Sequence, residues 1–237
     1  YTRYKASYRE AYRAVNRLFC ETVCRLAEPG DVVWVQDYQL MLLPGMLREA
    51  RPELEIGYFH HIPFPSYELF RILPERAEVL RGLLGADLVG FHAYDYVRHF
   101  LSSCRRIVGV ENESGTLFAD GRLAQVDAFP LGIDYVRYRD AARLPAVRRL
   151  VAELGEEKGH EGCKLMLSVE RLDYSKGIPE RLLAFDAFLD RFPEWRGRVV
   201  LVLVTVPSRE NVASYAALKK QVDELVGLIN GKHSTMD

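Results

Sequence analysis

"SVERLDYSKGIPER", residues Ser168–Arg181, is a strand-like apolar run that breaks into a charged bend and restarts with a proline placed for a first helical turn. Its neighbours extend the pattern. "KLMLSV" (Lys164–Val169) predicts a buried strand, Pro179–Phe192 a helix with Pro193 just beyond its end, and "RVVLVLVT" (Arg198–Thr205) a second buried strand. After "VPSREN", an amphipathic helix carries Val212, Tyr215, Leu218, Val222, Leu225 and Ile229. A strand-helix-strand crossover makes the two strands parallel, so the loops leaving their carboxyl ends open on one edge of the sheet. Arg171, Lys176 and Arg209 lie in those two loops. Ligands of open α/β sheets bind at that edge, and a helix starting near Gly177 adds unpaired N–H groups and a positive dipole end. Three cations and a helix start therefore predict a phosphate site. Two plainer readings stay open: solvated loop charges, or Arg171 paired with Glu170 or Asp173. No GxGxxG or GxxxxGK[ST] occurs, which removes the dinucleotide and Walker-type alternatives.

Upstream, strand-length apolar runs again alternate with helical periodicity. "DVVWV" (Asp31–Val35), "LEIGYF" (Leu54–Phe59) and "ADLVGF" (Ala86–Phe91) are each followed by helical sequence. The runs are apolar on both sides, which predicts a parallel sheet with helices on both faces. "TLFADGRLAQVDAFPLGID" predicts a hairpin turning at Asp120-Gly121. The fold class is α/β, with one domain over residues 1–140, a charged helical connection over 141–160, and a second domain opening over 161–237. Asp37, His60 and His61 stand at strand carboxyl ends, the last two in a loop stiffened by Pro63 and Pro65. A carboxylate and an imidazole there suit sugar hydroxyls, and the alternatives are a helix-capping Asp and a core-bonded His. The His60-His61 pair lacks the spacing and companions of a zinc site, so no metal is expected.

Composition excludes several classes. Of 237 residues, 49% are hydrophobic and 27% charged, as in an ordinary globular chain. Lys plus Arg (32) nearly cancels Asp plus Glu (33), so there is no global basic field for nucleic acid and an anion site must be local. Cys20, Cys24, Cys104 and Cys163 have no paired spacing and read as reduced thiols of a cytoplasmic protein. No apolar stretch reaches membrane-spanning length, and the absence of a starting methionine places the expected start upstream of Tyr1.

Taken together, "QDYQLMLLPGMLR", "GYFHHIPFPSYELFRILP", "ADLVGFHAYDYVRHFLSSCRRIVG", "FPLGID", "SVERLDYSKGIPERLLAF" and "INGK" resemble trehalose-6-phosphate synthase, above all the synthase part of bifunctional synthase/phosphatase proteins, from about Tyr12 onward. The resemblance implies a GT-B glycosyltransferase: two Rossmann-like domains facing each other across a cleft, here both incomplete, using no metal or cofactor. It implies transfer of glucose from UDP-glucose to glucose-6-phosphate with retention, giving trehalose-6-phosphate and UDP. Arg171 and Lys176 would hold the donor diphosphate, His61 the transferred glucose, Asp37 the acceptor hydroxyls and Arg209 the acceptor phosphate. Departing UDP would take the acceptor proton itself. Arg171, Lys176 and His61 would thus carry catalysis, with small molecules as partners, no nucleic acid or membrane, and a homo-oligomer left open. The family's His-Asp-Tyr reads Gln36-Asp37-Tyr38 here, which keeps hydrogen bonding and loses a proton carrier. The donor loop is expected before Tyr1 and the nucleoside-binding acidic-glycine segment after Asp237, so these 237 residues alone are expected not to catalyse. Two other readings remain: a sister enzyme such as glucosylglycerol-phosphate synthase, and a catalytically silent regulatory homologue that binds sugar phosphate.

Overall fold

The computed structural model describes residues 4–157, 163–206 and 213–234. The chain divides into two compact units, Tyr1–Ile133 and Asp134–Asp237.

In the first unit the elements run α1 (Ala6–Leu26), β1 (Val32–Gln36), α2 (Leu43–Ala50), β2 (Glu55–His60), α3 (Tyr67–Phe70), α4 (Arg76–Leu83), β3 (Leu88–Phe91), α5 (Tyr94–Ser103), β4 (Asn112–Glu113), β5 (Thr116–Ala119) and β6 (Arg122–Ala128). The sheet order is β1-β2-β3-β6-β5-β4, with β1, β2, β3 and β6 parallel and β5 and β4 antiparallel. The predicted hairpin is β5–β6. Asp120 (φ 50°) and Gly121 (φ 77°) both take positive φ, as a two-residue turn matched to strand twist requires.

Strand alternation then decides what faces where. Val35, Tyr58, Val89 and Val126 lie in register across the sheet and are buried, packed with Leu43 and Leu47 of α2, Leu80 of α4 and Phe100 of α5. The expectation of helices on both faces fails in this unit. Val32 and Trp34 of β1 are each 68% exposed, and Leu88, Phe118 and Leu123 are exposed too. Strands this apolar match a doubly covered sheet, yet all the unit's helices contribute to the core on one side.

That core is closed by three glycines. A Cβ at Gly85 would stand 2.5 Å from Gly45 Cα, and one at Gly82 would stand 2.6 Å from the Met41 carbonyl oxygen. Only bare backbone lets α2 and α4 approach so closely.

The second unit runs α6 (Tyr135–Ala141), α7 (Pro145–Glu157), β7 (Lys164–Arg171), α8 (Ile178–Arg191), β8 (Val199–Val206) and α9 (Ala213–His233). The expected crossover is present: β7 and β8 are parallel, in register from Lys164↔Val199 to Arg171↔Val206. Leu172, Ile178 and Leu182 pack with Leu218, Val222 and Ile229 of α9, the apolar stripe read from the sequence. Lys232 bridges Asp186 and Asp190 of α8, and His233 Nε2 lies 2.6 Å from Asp186 Oδ1, so the last turn of α9 is fastened to α8. Leu165, Leu167 and Val169 of β7 remain exposed.

The cysteines read as reduced are unpaired thiols, and burial with its neighbour Cys24 raises Cys20 to about 11, leaving it protonated and inert. Among the described residues no helix is long and apolar enough to cross a membrane.

Candidate functional site

In the second unit, β7 ends at Arg171 and a short 3-10 turn, Tyr174–Lys176, leads to Gly177. Gly177 takes φ 61°, a left-handed conformation in which a side chain would be strained, and it is the N-cap of α8. The bend is braced from beneath. Buried Asp173 accepts hydrogen bonds from the Ser175 N–H (2.9 Å) and the Tyr215 hydroxyl (3.3 Å), and the bond from Ser175 is the main cause holding its carboxyl below the usual range. Glu170 has another partner than the sequence suggested. Its carboxylate meets Arg181 and Ser168, and those bonds, Ser168 first, hold it charged. Arg181 also donates to the Ser168 hydroxyl (2.6 Å) and the Lys176 carbonyl (3.2 Å), tying the first turn of α8 to the strand end.

The consequence for the two cations is direct. Glu170 and Asp173 are committed elsewhere, and the Arg171 and Lys176 side chains stand exposed with no ion pair among the described residues. They leave adjacent turns at one strand end and helix start, an arrangement suited to an anion. Arg209 lies outside the described residues.

The first unit assembles a different set at the carboxyl ends of β1, β2 and β3. Gln36 pairs with Phe59 in register, so both point to the face opposite the core, and alternation sends His61 to the same side. His61 Nε2 lies 2.6 Å from Gln36 Oε1, and its ring sits 4.9 Å from Phe59 and 5.6 Å from His92. His92 follows β3 as His61 follows β2. The sequence reading did not single it out, although its place one residue past an apolar strand is the same signal.

His60 goes the other way. It is 3% exposed among Phe64 and Phe91, with Nδ1 2.8 Å from the Tyr58 hydroxyl, and burial lowers its pKa to about 4. It is a neutral core residue.

Asp37 joins the two halves of this edge. Its N–H donates to the Phe59 carbonyl (2.8 Å) and its Oδ1 accepts from the His61 N–H (3.0 Å), so it fixes the loop that presents His61. Its backbone has φ 68° and ψ 175°, a region that glycine alone enters without strain. It makes no side-chain cap to the following turn, which removes the capping alternative.

Among the described residues, the grouping able to hold a metal is Asp186, Asp190 and His233, and Lys232 already sits between the two carboxylates.

The model of glycosyltransferase family 20 matches residues 1–237. The chain is 50% identical over 233 residues to alpha,alpha-trehalose-phosphate synthase [UDP-forming] 2 of Aspergillus fumigatus, covering 96% of this chain and 48% of that protein. Identity to the Yarrowia lipolytica alpha,alpha-trehalose-phosphate synthase [UDP-forming] is also 50%, over 96% of this chain and 50% of the relative. Among solved structures, "Trehalose-6-phosphate from E. coli bound with UDP-2-fluoro glucose" superposes with TM-score 0.85 at 31% identity, covering 99% of this chain and 52% of that one. A Burkholderia xenovorans alpha,alpha-trehalose-phosphate synthase (UDP-forming) in complex with glucose-6-phosphate superposes with TM-score 0.82 at 31% identity, with the same 99% and 52% coverage. The fold is thus the α/β, GT-B class, and the chain spans about half the length of the curated relatives it matches. A family model matched from first residue to last, and relatives sharing half of their aligned residues, establish the kinship: this chain belongs to glycosyltransferase family 20.

Proposed function

We propose that this chain serves glucosyl transfer from UDP-glucose to glucose-6-phosphate, yielding trehalose-6-phosphate and UDP with retention at the anomeric carbon. The observation that carries the proposal is the pair of exposed cations, Arg171 and Lys176, without an ion pair among the described residues, at a strand end where Glu170 and Asp173 are hydrogen-bonded to other partners. Their role is to hold the donor diphosphate. As the bond from the anomeric carbon to the phosphate oxygen breaks, negative charge grows on that oxygen, and fixed cations stabilise it in the transition state without a metal. The acceptor oxygen bonds to the carbon on the same face, and its proton passes to the departing phosphate.

In the first unit, His61 contacts the transferred glucose and Asp37 the acceptor hydroxyls. Asp37 has one oxygen bound to the loop, which leaves the carboxylate further acceptor capacity. Gln36 supports the reading of an active site. It keeps a hydrogen bond on His61 Nε2, so the place of the family's histidine is filled by a group that still orients the ring. Arg209 is the proposed ligand of the acceptor phosphate. The domain roles follow: residues 1–140 serve the acceptor and 161–237 the nucleotide sugar, in a cytoplasmic protein whose partners are these two substrates.

Release of UDP, measured with UDP-glucose as donor in a protein carrying this sequence, tests the proposal. Turnover with glucose-6-phosphate well above that with glycerol phosphate is expected. Preference for glycerol phosphate would assign the sister reaction, and binding of either sugar phosphate without turnover would assign a silent regulator.

A further inference from the structure

We propose that the concavity lined by Arg71, Arg76 and Arg106 binds a phosphate dianion, either inorganic phosphate or a phosphate monoester. The hollow, about 510 Å³, is bounded by these arginines with Tyr67, Pro74, Ala77 and Ile107, and none of the residues assigned to glucosyl transfer lines it.

Charge pairing separates these arginines from several neighbours. Arg48 and Arg122 meet Asp87, Arg51 meets Glu53 and Arg105 meets Glu111, each within ion-pair distance. Arg71, Arg76 and Arg106 have no ion pair among the described residues, yet they converge on one hollow. Glu68 feels Arg106 through space, but its carboxyl is engaged first with its own backbone and with Ser66. Three guanidinium groups gathered without a carboxylate repel one another, and an anion of two charges relieves that repulsion.

The three are also held in place. The Arg106 and Arg71 guanidinium carbons lie 4.8 and 5.9 Å from the Tyr67 ring centroid, within cation–π range, and Arg76 is half-buried with Nη1 3.1 Å from the Leu73 carbonyl. Such contacts limit the rotamers, so less entropy is lost when the planar forks close on phosphate oxygens. A hollow of about 510 Å³ with three arginines among its seven lining residues suits a small phosphate better than an acidic polymer.

The test is calorimetric titration of the 237-residue chain with inorganic phosphate and with glucose-6-phosphate in chloride buffer. Arg171→Ala, Lys176→Ala and Arg209→Ala are all present, so that the anion sites proposed for glucosyl transfer are silent. Saturable binding is expected, weakened roughly tenfold by Arg71→Gln or Arg106→Gln and unchanged by Arg81→Gln, an exposed control on α4. Tighter binding of the sugar phosphate than of the free ion assigns the monoester, and equal binding assigns phosphate itself. No saturable binding, binding indifferent to Arg71→Gln and Arg106→Gln, or equal competition by chloride would overturn the proposal. Circular dichroism of each variant confirms that the exposed substitutions leave the fold intact. Because the Arg171, Lys176 and Arg209 roles are removed beforehand, the result is independent of the glucosyl-transfer reading.

Discussion

Replacing Asp37 by glycine should leave a more stable protein than replacing it by alanine, the reverse of the ordinary order. Alanine normally gains about 0.4–1 kcal/mol over glycine because the unfolded chain has less freedom to lose. At φ 68° and ψ 175°, however, any side chain holds the backbone in a region that costs on the order of 1–3 kcal/mol. Both substitutions remove the acceptor for the His61 N–H, so that loss cancels in the comparison. Taking about 2 kcal/mol of relieved strain against about 1 kcal/mol of extra unfolded-chain entropy, glycine should exceed alanine by about 1 kcal/mol. With a urea dependence of about 2 kcal/mol per molar, the unfolding midpoint of Asp37→Gly should lie about 0.5 M above that of Asp37→Ala, followed by far-ultraviolet circular dichroism. Asp37→Asn, which bears the same strain as alanine but keeps an acceptor for the His61 N–H, should lie above Asp37→Ala. An alanine variant as stable as the glycine variant would refute the claim that the strand end is strained. Neither Asp37→Gly nor Asp37→Ala should retain normal affinity for the acceptor, since stability and the carboxylate are separate contributions.

Arg171→Ala or Lys176→Ala should each slow UDP release roughly 100-fold or more, and a near-normal kcat/KM in both would end the donor assignment. Arg209→Ala should raise KM for glucose-6-phosphate far more than for UDP-glucose, whereas a rise on the donor side would exchange the two roles. Gln36→Leu, which strips the acceptor from His61 Nε2, should lower turnover about tenfold while Gln36→His retains most of it, compared in steady-state assays. Because His60 titrates at about 4 in the folded chain and near 6.5 unfolded, the unfolded state binds the extra proton between those values. Stability should therefore fall as pH drops through that window, by roughly 3–3.5 kcal/mol at most from this group. The double variant Tyr58→Phe, His60→Leu should lose that part of the slope in urea titrations at successive pH values.

The crossover of β7 and β8, the start of α8 beyond Gly177 and the Asp120-Gly121 turn were legible because each is written in local sequence: apolar length, a residue tolerant of positive φ, a proline in the first turn. The placement of Arg171 and Lys176 at a strand end and before a helix start was legible for the same reason, since both are local events. What escaped depends on pairs distant in sequence. Glu170 has Arg171 beside it, but alternation along the strand directs it elsewhere and the first turn of α8 brings Arg181 to it. His60 and His61 look alike as letters and diverge because neighbouring strand positions point to opposite faces. His92 becomes part of the cluster only once β3 is known to lie beside β2. The open face of the first sheet could not be read either, because a strand's apolar composition does not say which elements cover it.

The close approach at Gly45, Gly82 and Gly85 bears on how variants of this protein are ranked in a saturation screen. A methyl group at Gly85 has nowhere to go but into the backbone of α2, so every substitution there should score as null, as severely as any at Arg171. The two kinds of null part company when abundance is measured alongside activity. Arg171 variants should accumulate as inactive protein, whereas Gly82 and Gly85 variants should be cleared before they can be assayed. A screen scored on growth alone would therefore draw a functional map with a false centre, a cluster of intolerant glycines on the helical side of the sheet.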